Sequence, residues 1–250
     1  MDTLFNKTII VTGGSRGIGR AIALHLAGSG ANVCVNYHVN RNEAENVVSE
    51  IKESGGKAIA VQADVANPYE VEQLVQKTSE EFGGIFGIVN NAGSEISHKQ
   101  FIDTDWEEFE KHFQVQIKGI YNTVKAASPY MVEKKSGSIV NIASAYTFGA
   151  PPTRLAPYVT AKHAVIGLTR SLAVELSRYG IRVNAVSPGF TETDLTRDLP
   201  KIFHEAEAAK APHGRLNTPD DIARVVALLM SDDSESKTGD NVPVLGEQDV

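Results

Sequence analysis

Three side chains between residues 144 and 162 have the chemistry to handle a proton at a carbonyl or alcohol oxygen. They lie in G-S-I-V-N-I-A-S-A-Y-T-F-G-A-P-P-T-R-L-A-P-Y-V-T-A-K, residues 137–162. Ile139, Val140 and Ile142 form an apolar, partly β-branched run after a Gly turn, which predicts a strand. A Pro/Gly-rich loop follows, and Pro157 suits the first turn of a helix. Tyr158 and Lys162 then stand four apart on one helix face. An ammonium beside a phenol favours phenolate, so the Tyr158 pKa is expected below its usual value of about 10. Ser144, at the strand's end, is placed to add a hydroxyl to the same space. Such a set suits general acid–base work.

The pair alone is not distinctive, because Tyr-x-x-x-Lys occurs three times: Tyr121/Lys125, Tyr130/Lys134 and Tyr158/Lys162. The first two share one amphipathic segment and lack an upstream Ser at the right distance, so they read as exposed or half-buried helix positions. Context selects Tyr158.

The elements that must position this set alternate along the chain. Strands are expected at Lys7–Val11, Asn32–Tyr37, Lys57–Gln62, Ile85–Val89, residues 137–143, Ile181–Ser187 and Asn241–Leu245. Helical patterns lie between them, including one or two long helices from Trp106 to about Val132 and one at Asp220–Ser231. Residues 194–217 read as a loop with a short helix. Alternation of this kind predicts one α/β domain over residues 1–250, with a parallel sheet of about seven strands covered by helices on both faces. In open sheets of this class ligands bind at the carboxyl ends of the strands. Each unusual motif sits at such an end: Thr12–Gly19, Asn36–His38, Asp64, Asn90–Gly93, Ser144 and Pro188–Thr193.

The run T-G-G-S-R-G-I-G joins the first strand to the first helix. Its Gly13, Gly14, Gly17 and Gly19 let backbone N–H groups approach a pyrophosphate, whose charge a helix N-terminus favours. Ser15, Arg16 and Ile18 belong to the same candidate cofactor loop. A carboxylate at the end of the second strand would indicate NAD. That strand ends Asn36-Tyr37-His38 without one, while Arg16 and Arg41 are cations nearby, so NADP(H) is favoured over NAD(H).

Composition narrows the class. The chain has 250 residues, 42% hydrophobic and 22% charged, with a net charge of −7. Without a basic cluster, nucleic-acid binding is not expected. No apolar run approaches the roughly 20 residues of a membrane-spanning helix, and residues 1–8 carry no signal-peptide pattern. The single Cys34 excludes an internal disulfide and reads as a buried strand thiol. The seven His show no H-x-x-x-H or H-E-x-x-H spacing, so no metal site is expected; His98, His112, His163, His204 and His213 read as solvated or packing residues. A cytoplasmic enzyme is the expectation.

Taken together, T-G-G-S-R-G-I-G, N-N-A-G, Ser144, Tyr158-x-x-x-Lys162 and Pro188-Gly189 resemble the short-chain dehydrogenase/reductase family from Lys7 to about Leu245. The resemblance implies a Rossmann-type domain, a homotetramer or homodimer, and hydride transfer between a nicotinamide and a carbonyl/alcohol carbon. It implies that Tyr158 is the acid in reduction and Ser144 polarises the substrate oxygen. Lys162 would lower the Tyr pKa and hold the nicotinamide ribose. Asn90, Ala92 and Gly93 would line the adenine-ribose side, and Asp64 with Val65 would contact adenine. Pro188, Gly189, Thr191 and Thr193 would fix the nicotinamide carboxamide.

Three features depart from the family pattern. Gln116, in Q-I-K-G, stands where the family commonly has a catalytic Asn; Ser144 to Tyr158 spans one residue more than usual; and the end V-P-V-L-G-E-Q-D-V lacks the D-G-G that relatives often carry. Within the family, G-R-L-N-T-P-D-D-I-A and the compact length most resemble 3-oxoacyl-[acyl-carrier-protein] reductases, implying a small or carrier-bound carbonyl substrate covered by a loop around 190–213. The V-N-Y-H turn is also similar to glucose dehydrogenases. An alcohol or sugar dehydrogenase, and a dinucleotide-binding protein with weak catalysis, stay open at this point.

Overall fold

The computed structural model describes residues 4–193, 201–211 and 214–245. Seven parallel strands form one sheet in the order β3-β2-β1-β4-β5-β6-β7. They are β1 (Thr8–Val11), β2 (Asn32–Tyr37), β3 (Lys57–Gln62), β4 (Gly87–Asn90), β5 (Gly137–Ile142), β6 (Ile181–Pro188) and β7 (Asn241–Val244). The helices are α1 (Gly17–Gly28), α2 (Arg41–Glu53), α3 (Pro68–Phe82), α4 (Trp106–Phe113), α5 (Gly119–Lys134), α6 (Ala156–Ser177), α7 (Lys201–Lys210) and α8 (Pro219–Met230). This is a single Rossmann-type domain. The strand order reverses where β1 lies between β2 and β4, and that crevice is where such sheets bind ligands.

Both faces of the sheet are covered, so its central strands are buried throughout rather than alternating with solvent. Successive side chains of β1 divide between the faces. Ile9 and Val11 join Ile22 and Leu26 of α1, Val47 of α2 and Val226 of α8. Ile10 and Cys34 join Leu74 of α3, Ile120 of α5 and Val165 of α6.

Several boundaries differ from the sequence expectation. β4 is displaced to Gly87–Asn90, because Asn90 pairs with Asn141 of β5. β6 extends to Pro188, which pairs with Val244, and β7 ends there. α8 starts at Pro219 because Thr218 forms a reciprocal capping box with Asp221. The long segment from Trp106 is two helices joined by a wider turn at Gln114–Lys118, in which the backbone carries one extra residue per turn. The expected loop around 190–213 includes residues 194–200 and 212–213, His213 among them, which lie outside the described residues. So does the chain end from Gly246. Among the described residues no helix is long and apolar enough to cross a membrane.

Candidate active site

The loop from β1 to α1 is held by side chains from neighbouring strands. Thr12 Oγ1 accepts from the backbone N–H of Asn91 (2.9 Å) and Ala92 (3.0 Å). Asn91 Nδ2 donates to the carbonyls of Thr12 (3.0 Å) and Gly13 (3.1 Å). Gly13 and Gly17 sit at φ +60° and +52°, where a side chain is strained. Ser15 is buried and Ile18 half-buried. α1 opens without a side-chain cap and without an acid in its first turn, so its N–H dipole is not countered there. This arrangement fits a pyrophosphate. A Cβ on Gly19 would fall on the Gly13 carbonyl and within 2.5 Å of Asn91 Nδ2. Gly19→Ala is therefore expected to destabilise the protein by about 1–3 kcal/mol in thermal melts, with loss of nicotinamide-cofactor binding in fluorescence titration.

Beside this loop a cavity of about 540 Å³ is lined by His38, Asp64, Ala66, Asn67, Lys111 and Lys118, among others. His38 is exposed there, and Asp64 Oδ1 caps its own turn by accepting from Ala66 N–H at 2.9 Å. Lys111 and Lys118 escaped the sequence reading, since only the packing of α4 and the wide turn brings them to this cavity.

Four sequence candidates have side chains engaged within the protein. Asn36 is buried and faces inward: its Oδ1 accepts from Gly13 N–H (3.3 Å) and its Nδ2 donates to the Ala63 carbonyl (3.0 Å), so it braces the glycine loop from behind. Tyr37 packs in the core. Asn90 Nδ2 donates to Asn141 Oδ1 (2.8 Å) and its Oδ1 accepts from Thr123 Oγ1 (2.7 Å), which turns the amide to the interior. Arg41 pairs with Glu45 at 2.7 Å on the α2 surface, while Arg16 is exposed in the glycine loop. Val65 is buried, and its carbonyl accepts from Asn122 Nδ2 at 2.8 Å. Ala92 is half-buried and Gly93 exposed.

The other end of the site holds Ser144, Tyr158, Lys162 and Gln116. Ser144 follows β5 and is 5% exposed. Tyr158 and Lys162 come from the first two turns of α6, which Pro157 opens. Lys162 is buried, its Nζ donates to the Ile142 carbonyl at 2.7 Å, and it lies 5.6 Å from the Tyr158 ring centre. The expected lowering of the tyrosine pKa is not what the structure gives. Burial pushes the Tyr158 phenol up, only partly offset by its hydrogen bond with Ser144. Burial also pulls Lys162 down to about 8. The phenol therefore stays protonated at neutral pH, which is the form an acid needs. The other two Tyr/Lys pairs are peripheral: Tyr121 is half-exposed and accepts from Lys125 Nζ at 3.1 Å, and Tyr130 is only partly buried.

Gln116, in the wide turn, is 3% exposed. It borders a cavity of about 10 Å³, room for about one water, together with Thr12, Asn90 and Lys162. Its Nε2 lies 3.0 Å from Nδ1 of His112. His112, expected to be a solvated or packing residue, instead lies in the site, with its ring edge-on to Tyr158 at 5.9 Å. One turn of spacing between His112 and Gln116 is visible in the sequence; which helix face they share is not.

The exit of β6 closes the other side. Gly189 N–H donates to the Val244 carbonyl at 2.8 Å, and a Cβ there would meet the Leu245 backbone. Thr191 is buried, and its Oγ1 donates to the Gly189 carbonyl at 2.9 Å. Thr193 reaches the glycine loop: its methyl lies 3.8 Å from where a Gly17 Cβ would stand. The fold thus gathers the glycine loop, the β4 end, the tyrosine helix and the β6 exit around one crevice.

Known proteins are similar to this chain in sequence and fold. Residues 13–246 match the family described as enoyl-(acyl carrier protein) reductase. The chain is 40% identical to 3-oxoacyl-[acyl-carrier-protein] reductase FabG of Staphylococcus aureus (strain N315), over 96% of this chain and 97% of that protein. It superposes on a short-chain type dehydrogenase/reductase from Mycobacterium marinum with TM-score 0.90 and 34% identity, covering 97% of this chain and 95% of the other. A gluconate 5-dehydrogenase from Burkholderia cenocepacia J2315, solved with NADP and tartrate, matches with TM-score 0.90 and 28% identity over 97% and 95% of the two chains. With a glycine loop, a Ser/Tyr/Lys cluster and relatives of this kind, the chain belongs to the short-chain dehydrogenase/reductase family of NAD(P)-dependent oxidoreductases.

Proposed function

We propose that this protein is an NADP(H)-dependent reductase of 3-oxoacyl thioesters or closely related ketones. The observation that carries the reading is the Ser144/Tyr158/Lys162 cluster beside a glycine loop that fits a dinucleotide. Similarity to the FabG reductases supports the thioester class and a carrier-bound substrate. The β2 end supports NADP(H): it offers no carboxylate, its Asn36 is consumed by the loop, and Arg16 is exposed alongside.

A bound nicotinamide supplies the hydride. Gly13, Ser15, Arg16, Gly17, Ile18 and Gly19 hold the pyrophosphate side, and His38, Asp64 and Val65 border the adenine side with Ala92 and Gly93. Pro188, Gly189, Thr191 and Thr193 bound the nicotinamide side. Ser144 orients the substrate oxygen, and Tyr158 donates the proton that the developing alkoxide takes up. Lys162 sets the positive field beneath that oxygen, and the Gln116 amide faces the small cavity bordering Lys162.

The gluconate dehydrogenase likeness keeps polyol oxidation as the second reading. Fluorescence titration with NADPH and NADH, followed by turnover of an acetoacetyl thioester, tests the first. Expected are at least tenfold tighter NADPH binding and formation of the 3-hydroxy product. Turnover of gluconate-type polyols with none of the thioester would overturn the substrate class, and NADH preference would overturn the cofactor assignment.

A further inference from the structure

His112 stands at the junction of three site elements. Its Nδ1 lies 2.7 Å from Ser94 Oγ, in the loop after N-N-A-G, and 3.0 Å from Gln116 Nε2, in the wide turn. Its ring also meets the edge of Tyr158 on α6. The residue is 1% exposed, and Nδ1 is met by these two protein partners. An amide nitrogen can only donate, so in this arrangement Nδ1 accepts, its one lone pair shared between Gln116 Nε2 and the Ser94 hydroxyl, and the ring proton lies on Nε2.

That bond decides which end of the Gln116 amide faces the catalytic lysine. With Nε2 committed to His112, Oε1 is the free end, and it is buried without a protein partner. Gln116 shares its small cavity with Lys162. An amide oxygen toward an ammonium is favourable, directly or through one water; the flipped amide would turn its N–H groups toward the same charge. Gln has one more methylene than the family's Asn, and hence one more torsion to fix.

We propose that His112, seconded by Ser94, is a positioning residue that orients the Gln116 amide so that its oxygen faces Lys162, allowing Gln to fill the place the family commonly gives to Asn. This rests on the reductase reading for its activity readout, though not for the geometry itself.

The charges around the ring are Lys162 from α6 and Glu108 and Lys111 on α4, with Tyr158 and Ser94 in neutral contact. Burial and the Lys162 charge pull the imidazole below its ordinary value, with Glu108 opposing, so the ring is neutral at pH 7. Protonation at lower pH removes the Nδ1 lone pair and with it the acceptor for Gln116.

The test is a double-mutant cycle on whichever carbonyl substrate the parent turns over. His112→Leu and Gln116→Leu are each expected to lower kcat about 10- to 100-fold with little change in cofactor Kd, and the double variant to be no worse than the poorer single. His112→Asn, which keeps an acceptor near the Nδ1 position, is expected within about threefold of the parent and without the parent's loss of kcat at pH values under the ordinary imidazole range. In the cofactor-free protein, ¹⁵N NMR is expected to show His112 as the Nε2–H tautomer, with its Nδ1 signal moved by Gln116→Leu. Additive losses, an unchanged acid limb in His112→Asn, or an Nδ1–H tautomer would overturn the proposal. A parent inactive on every carbonyl substrate would instead overturn the reductase reading, leaving the NMR result to judge the geometry.

Discussion

Tyr158→Phe is expected to lower kcat by about 10²–10⁴-fold, the usual worth of a positioned general acid, while the protein still folds and binds cofactor. The ring that packs against His112 is retained and only the hydroxyl is lost. Stopped-flow turnover of the reduced cofactor checks the rate, and circular dichroism checks the fold. The raised phenol also fixes the sign of the pH dependence. A group that must donate a proton works below its pKa, so reduction holds through neutral pH and fails only as pH rises past the ordinary phenol value near 10. The reverse reaction, which needs phenolate, gains over that same range. A Phe variant within threefold of the parent would remove Tyr158 from the chemistry.

Lys162→Met is expected to move activity and stability in opposite directions. Loss of a buried charge beneath the reacting oxygen costs about 10²–10³-fold in rate. Stability should rise, because the folded protein holds this ammonium against its desolvation. Its pKa falls from 10.5 to about 8 on folding, which corresponds to about 3 kcal/mol unfavourable to the folded state below pH 8. That cost fades as pH climbs from 8 toward 10.5, where the unfolded chain alone keeps the proton. The lost hydrogen bond to the Ile142 carbonyl offsets part of the gain. A net gain of about 1–2 kcal/mol at pH 7, or about 2–8 °C in Tm, is expected by calorimetry. Equal or lower Tm would mean that the lysine is held at no cost, and that its burial is not stored for function.

Strands were legible because sheets buried on both faces require continuous Val/Ile runs, and such runs separated by helical patterns leave few alternatives. The glycine loop and the Ser144/Tyr158/Lys162 set were legible because their spacing needs only local geometry. What escaped depends on packing between elements. Asn36 looked like a ligand contact from its position at a strand end, yet its inward rotamer is chosen by carbonyls of β3 and the turn after it, 25 and 27 residues on. His112 looked incidental because the face of α4 that meets α6 cannot be read from α4 alone. The Tyr158 pKa was misjudged for a related reason: sequence shows the neighbouring ammonium and not the desolvation that outweighs it. Arg41 was spoken for by Glu45, a pairing the i,i+4 spacing did make visible.

Cys34 gives the sheet one further property. The thiol sits fully buried in β2 beside Thr78, and burial pushes it up to about 12. At pH 8 about one thiol in ten thousand is ionised, and none of it is open to a reagent while β2 stays sandwiched between its helices. An alkylating probe can therefore reach this chain only in molecules whose sheet has come apart. The protein carries its own clock for global opening, one that runs at a remove from the chemistry and slows by whatever free energy a bound cofactor adds to the closed form.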